Sequence, residues 1–244
     1  MNKNKLSFSK GNAKLGKHTA IFSLPAGHTC PAAHLCMTKA DKVTGKITDG
    51  KHARFRCYAA LAENIFPSVR KSRWHNLTLL KSCKNATEMA ELIKRSLPKK
   101  AALCRIHTSG DFFNQDYFDA WLLVARQTPN LVFYAYTKML PLWIRRWCSI
   151  PSNVKLVASA GGLYDHMIAP HKLRRCIILT DRAAIAANTL PIDHDDSHAW
   201  NSDGDFALVM HGMQKKGRAA KEVYALRNEG WSGYKITYFK HYKK

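Results

Sequence analysis

The sequence predicts an α/β fold, a partial (β/α) barrel of about six mainly parallel strands with an N-terminal cysteine-bearing segment. Three observations predict it. Apolar, β-rich runs recur along the chain, stretches patterned as amphipathic helices separate several of them, and most of the runs lead straight into polar residues. Continuous apolar strands alternating with helices indicate a parallel sheet covered by helices. In such sheets the loops at the C-terminal strand ends converge on one rim and carry the site.

TAIFSL (19–24) is the first strand, and a long segment rich in cysteine and basic residues follows it. ATEMAELIKRSL (86–97) has strong helix formers at helical spacing and leads into the strand AALCRI (101–106). That strand runs into His107-Thr-Ser-Gly-Asp111, and Asn114 and Asp116 are capping residues for the helix YFDAWLLVARQ (117–127). LVFYAY (131–136) ends in Thr137-Lys138 and precedes the helical LPLWIRRWC (140–148). VKLVASA (154–160) opens into Ser159-Ala-Gly-Gly162, and RCIILT (175–180) into Thr180-Asp181-Arg182. The helix DRAAIAANTL (181–190), the strand FALVMHG (206–212) and the helix GRAAKEVYALRN (217–228) complete the series. There is neither a low-complexity linker nor a repeat, so one domain over 1–244 is expected. It divides into a cysteine and basic segment (1–80), the strand–helix units (101–212) and a tail (230–244). In that tail GYKITYFKHYKK alternates aromatic with basic residues, as an edge strand or an arm on a phosphate backbone would.

Lys plus Arg number 39 against 17 Asp plus Glu, a formal net charge of +22. Such an excess is relieved by an anionic partner, and nucleic acid, DNA ahead of RNA, is the expected one. No apolar run reaches the roughly 18–20 residues of a membrane span. The basic N-terminus lacks the apolar core of a signal peptide, so a cytoplasmic protein with no membrane partner is expected. The oligomeric state stays open.

In TCPAAHLCMTKADKVTGKITDGKHARFRCYAA (29–60), five residues separate Cys30 from Cys36 and twenty separate Cys36 from Cys57. In a reducing cytosol clustered cysteines are metal ligands or catalytic groups more often than disulfides. The spacing is not that of a zinc knuckle, and a wide loop around an iron–sulfur cluster fits it better. Zinc is the alternative, with His34 or His52 as a fourth ligand. Cys104 and Cys176 lie in apolar runs and read as core thiols, whereas Cys83 and Cys148 carry no signal.

TCPAAHLC, FRCYAALAENIFPSVRKSRWHN, RIHTSGDFFNQDYFDAW, VFYAYTK and HDDSHAWNSDGDFALVMHG together resemble the phage and mobile-element family called gene product 88. More distantly, Cys57-Tyr58-Ala59 and Tyr136-Thr137-Lys138 match a pattern in phage proteins that are similar to radical S-adenosylmethionine enzymes. This likeness implies a partial (β/α) barrel with a four-iron, four-sulfur (4Fe-4S) cluster on Cys30, Cys36 and Cys57, and S-adenosylmethionine as a possible further cofactor. It also implies cofactor contacts at Tyr58, Ser109 and Gly110, and catalytic groups at His107, Asp111 and Lys138. The insert between Cys36 and Cys57 is longer than the compact cysteine loop of radical enzymes. Phage origin would place the protein in the host cytoplasm.

Two further groupings bear on function. His194, Asp195, Asp196, Ser197 and His198, with Asp203, Asp205 and His211, could hold a divalent ion as in a nuclease, or pair with arginines. Arg54, Arg56, Arg70, Lys71, Arg73, Trp74 and His75 mix cations with an aromatic ring, as do Arg145 and Arg146 between Trp143 and Trp147. Lys172, Arg174 and Arg175 form a third basic group. Arg54, Arg56, Arg70, Arg73, Trp74, Arg145 and Arg146 are the expected nucleic-acid contacts, through phosphate pairing and base stacking. Three functions remain: a nucleic-acid-binding iron–sulfur protein of phage or plasmid origin, a regulatory DNA-binding protein with a structural cluster or zinc, and a metal-dependent nuclease.

Overall fold

The computed structural model describes residues 4–11, 15–16 and 18–231, organised around a seven-stranded sheet. A two-residue strand β1 (Ser9–Lys10) lies antiparallel on β2 (Thr19–Ser23). β3 (Thr38–Ala40) and β4 (Ile47–Asp49) form a separate hairpin. The main sheet continues with β5 (Leu103–Ser109), β6 (Val132–Thr137), β7 (Val154–Ser159), β8 (Arg175–Leu179) and β9 (Phe206–Val209). Its order is β1-β2-β5-β6-β7-β8-β9, and every pairing from β2 to β9 is parallel. The six apolar runs are thus the six parallel strands. The seventh, β1, is too short to carry a periodic signal. β1 and β9 are the two edges of this sheet, which therefore does not close.

The helices are α1 (Tyr58–Ile65), α2 (Pro67–Lys81), α3 (Ala86–Ser96), α4 (Gln115–Gln127), α5 (Leu140–Arg145), α6 (Arg182–Ala186), α7 (Ser197–Asn201) and α8 (Arg218–Asn228). Side-chain caps start α3 and α4, where Asn85 and Asn114 accept the N–H of Glu88 and Tyr117 at 3.0 and 2.9 Å. Pro67 and Pro141 lie in the first turns of α2 and α5, where a missing N–H costs nothing. Two helices are shorter than the sequence predicts. α5 gives way to a 3-10 turn at Trp147–Ser149, and α6 stops before Asn188, whose side chain bonds the backbone of Leu190.

Alternation along the strands assigns the two faces of the sheet. Cys104, Ile106, Phe133, Ala135, Leu156 and Ala158 belong to a large core shared with buried residues of α2, α3, α4 and α5. Tyr134, Val157, Cys176 and Phe206 form a smaller cluster with Ala199 of α7 on the other face. The thinly covered face is where a cavity can open. β2 and β5 slip in register between Ile21 and Ser23, and His107 in this bulge takes φ 70°. Among the described residues no helix is long and apolar enough to cross a membrane. The basic aromatic tail lies, beyond Trp231, outside the described residues.

Candidate functional site

A cavity of about 280 Å3 opens where β5, β6 and β7 end, and Cys30, Cys36 and Cys57 line it together with Tyr58, Arg105, Asp111 and Lys138. The cysteine segment folds over the strand ends and is tied there by backbone bonds. Ala33 bridges Gly162, Leu35 N–H donates to Gly161 O at 3.0 Å, and Leu163 N–H donates to Ala32 O at 3.0 Å. Asp111 N–H donates to Thr29 O at 3.1 Å. Gly110 makes that approach possible: its φ is +87°, and a Cβ there would lie 2.6 Å from Thr29 Oγ1. The hairpin β3–β4 occupies the insert between Cys36 and Cys57.

All three thiols are half-buried, and burial raises each of them above the ordinary range. Cys30 is raised further by Asp111 and by the other two thiols, against a 3.3 Å hydrogen bond from Gly27 N–H. Cys36 is raised by burial and opposed by the charge of Lys138. Cys57 reaches about 11 through burial and Cys36, although the N–H groups of Ala60 and Ala59 and the charge of Arg73 pull it down. It is the residue before α1, so the first N–H groups of that helix face its sulfur.

Asp111 holds the ends of β5 and β6 together. Its Oδ1 accepts from Thr137 Oγ1 and Phe112 N–H, each at 2.7 Å, and its Oδ2 from Lys138 N–H at 2.8 Å. Burial lifts its pKa to about 6 against those hydrogen bonds and the Lys138 charge. Lys138 reaches across to β7, where Nζ donates to Ser159 O, Ser159 Oγ and Ala160 O at 2.7, 2.9 and 2.8 Å. Ser109 Oγ donates to Leu24 O at 2.8 Å. His107 turns its ring among Phe22, Phe112 and Tyr117, with Nε2 2.9 Å from Tyr117 Oη. Burial, then Arg105, lowers its pKa to about 3, so the imidazole is neutral.

Sequence reasoning missed the centre of the cavity floor. Arg105, buried on β5, pairs with Asp196, lies over the ring of Tyr136 with its guanidinium carbon 5.2 Å from the centroid, and approaches Tyr58 Oη at 3.5 Å. Burial alone would lower its pKa, but Asp196 and the surrounding tyrosines raise it overall. Tyr134 Oη also donates to Asp196 at 3.2 Å, and Tyr58 Oη donates to Thr108 O at 2.8 Å. An arginine inside an apolar strand run is the available signal, because such a residue is seldom buried unpaired. Glu63 was missed as well. It is fully buried under the cysteine segment and accepts from Ala26 N–H and Arg73 Nη1, both at 2.8 Å.

The expected nucleic-acid contacts separate into inward and outward groups. Arg70 is buried with its guanidinium on the carbonyls of Lys42, Val43 and Glu63, and Arg73 is buried on Ala59 O and Glu63. Arg56 forks onto Asp49, and Arg146 onto Asp119. Trp74 packs against His28, with Lys42 over its ring. Arg54 and Arg145 are exposed. Arg174 caps α7 by donating to the carbonyls of His198, Ala199 and Ser202.

The acidic grouping near α7 is likewise engaged. Asp195 accepts from Ser197 N–H, Asp205 pairs with Arg175, and His211 packs its ring on Tyr58 at 4.6 Å. The rings of His34 and His52 stack at 4.7 Å. Among the described residues no three His, Cys, Asp or Glu side chains converge as ligands of one ion.

Residues 3–228 match the family model described as Gene product 88. The Gene 88 protein of Mycobacterium phage D29 is 31% identical over 161 residues, which cover 62% of this chain and 60% of that protein. The Gene 88 protein of Mycobacterium phage L5 is 31% identical over 142 residues, or 53% of this chain and 51% of that protein. The chain thus spans little more than half the length of either relative. No solved structure matches.

Proposed function

The chain belongs to the gene product 88 family, and from that premise we propose that it is an iron–sulfur protein, with Cys30, Cys36 and Cys57 as ligands of a four-iron, four-sulfur cluster. One observation carries this reading: the three thiols of one segment, although twenty residues separate two of them, line a single cavity at the strand ends. The donor set fits such a group. Backbone N–H groups of Gly27, Ala59 and Ala60 point at Cys30 and Cys57, and hydrogen bonds to sulfur stabilise thiolate ligands. The raised thiols are protonated when free, which argues against a cysteine nucleophile, whereas a bound metal deprotonates its ligands. A single zinc ion needs its ligands close together, and no such trio is present among the described residues. A cluster spreads its ligands over separate irons.

The strand order supports reading the sheet as an open, partial (β/α) barrel. Its parallel strands follow chain order, with the large helical core on one face and the cavity on the other. When bound, a cluster with one iron not held by cysteine supplies an electron and a coordination position for a cofactor such as S-adenosylmethionine. The chain's own residues enclose and orient. Asp111 and Lys138 fix the ends of β5, β6 and β7 relative to one another, Gly110 admits the cysteine segment, and Tyr58 braces α1 against β5.

Nucleic acid, DNA ahead of RNA, is proposed as the partner on the net charge of +22 and on the exposed Arg54, Arg145 and Trp147. Anaerobic purification with iron, sulfide and zinc analysis tests the cluster. A brown protein is expected whose iron is lost in Cys30→Ala, Cys36→Ala and Cys57→Ala. A colourless protein with stoichiometric zinc refutes it. DNA affinity should fall steeply between about 50 and 200 mM salt, and salt-independent binding refutes the electrostatic partner.

A further inference from the structure

Trp143 on α5 and Trp147 in the 3-10 turn that follows stack with ring centroids 6.0 Å apart and planes 20° from parallel. The inner ring is 7% exposed and belongs to the large core, whereas the outer one is 50% exposed. A single exposed aromatic is ordinary, but this one is held in place. Arg146 forks onto Asp119, Ser149 N–H donates to Arg146 O at 2.8 Å, and Arg126 Nη2 donates to Ser149 O at 2.6 Å. The turn is thus fastened to α4, and the ring behind Trp147 restricts how far it can fold away. Arg145 and Arg126 are both exposed. Arg145 precedes Trp147 by two residues, and Arg126 is bonded to the carbonyl two residues after it. The acceptors of these arginines are uncharged, Gln115 Oε1 and Ser149 O, and among the described residues neither guanidinium pairs with a carboxylate. On the facing stretch of α4, Asp119 is taken by Arg146 and Asp116 is exposed, so the arginines leave a positive excess.

A flat apolar ring beside two such arginines matches an anionic chain that carries flat groups of its own. In a duplex the bases are stacked on one another and closed to the ring, whereas a base of a single strand can lie on it. One ring is too small a patch for a stable protein interface. We propose that Trp147 is a stacking platform for an unpaired base of single-stranded nucleic acid, with Arg126 and Arg145 on its phosphates and Trp143 and Arg146 as the support. The turn lies beside the C-terminal end of α4, where Asn153 Nδ2 bonds Ala125 O, and so near the starts of β6 and β7. The cavity opens where those strands end. A strand held on Trp147 is therefore anchored away from the cysteines. The proposal rests on the nucleic-acid reading above and is independent of the cluster.

Fluorescence anisotropy of the full chain with end-labelled oligothymidylate of about 12 nucleotides, and with a duplex of the same length at the same salt, tests it. Trp147→Ala should weaken the single strand at least about fivefold and leave the duplex unchanged. Trp147→Phe, which keeps a stacking face, should retain most of the parent's affinity. Both variants should melt like the parent, because the side chain they alter is half exposed. Arg145→Gln should lower the salt dependence of single-strand binding. Oligouridylate bound with the same dependence on Trp147 supports the platform with RNA as the strand. Parent affinity for the single strand in folded Trp147→Ala, or an equal loss for strand and duplex, overturns the platform and leaves the net-charge reading standing. If neither strand nor duplex binds at low salt, the nucleic-acid reading falls and the platform with it.

Discussion

Replacing Arg73 with methionine should destabilise the protein far more than it weakens any contact with nucleic acid. Arg73 Nη1 lies 2.8 Å from Glu63 Oε1 and 2.7 Å from Ala59 O, and the two side chains are 9% and 0% exposed. Removing one partner of a buried pair leaves an uncompensated charge and costs about 3–5 kcal/mol. For a chain of this length each kcal/mol lowers the melting temperature by about 2–4 °C, so Arg73→Met should melt about 6–20 °C below the parent. Glu63→Gln in the same background removes the stranded charge while keeping an acceptor for Ala26 N–H. The double variant should therefore recover at least about 1 kcal/mol relative to the sum of the singles. Thermal melts of the four proteins complete the cycle. A melting temperature within about 2 °C of the parent, where a drop of about 6–20 °C is expected, would refute the buried-pair argument. If DNA affinity then falls as well, Arg73 is a phosphate contact after all.

Gly110→Ala should cost at least about 1–3 kcal/mol, because a side chain at φ +87° would also collide with Thr29 Oγ1; a melt unchanged from the parent contradicts this. The folded pKa of Asp111, about 6, lies above its ordinary 3.8. Its contribution to stability is therefore complete below the ordinary value and lost as pH rises through about 6, about 3 kcal/mol for a shift of roughly two units. Melts of parent and Asp111→Asn between about pH 4 and 8 should show the parent losing ground as pH rises, and a constant gap refutes it. Because the three thiols are raised, reconstitution with iron and sulfide should release protons and improve with pH. Iron uptake that does not change with pH contradicts that.

The parallel strands were legible because a strand buried on both faces is apolar along its length, and Asn114 announced the start of α4. Helices α1 and α2 were not legible. Arg70 and Arg73 read as an outward basic face, yet both turn inward to satisfy backbone carbonyls and Glu63. The rim of the cavity could be anticipated because polar residues at parallel strand ends gather in one place. Its floor could not, since Arg105 and its partner Asp196 are 91 residues apart and nothing local joins them. Lys138, expected as a catalytic group, has its ammonium on Ser159 and Ala160 at the end of the next strand, partners that nothing in its own run announces.

The chain-ordered sheet has a consequence during synthesis. Each strand from β6 onward can dock on the strand made just before it, but β2 must wait for β5, across the whole of α1, α2 and α3. A long closure of this kind is slow compared with local pairing. Cys30, Cys36 and Cys57 leave the ribosome ahead of Asp111, Lys138 and the Gly161–Leu163 backbone that closes over them. Through that interval they are ordinary exposed thiols, open to oxidation or to the wrong metal. The protein's yield in active form should therefore depend on the redox state of the cell during translation more than on the stability of the finished fold.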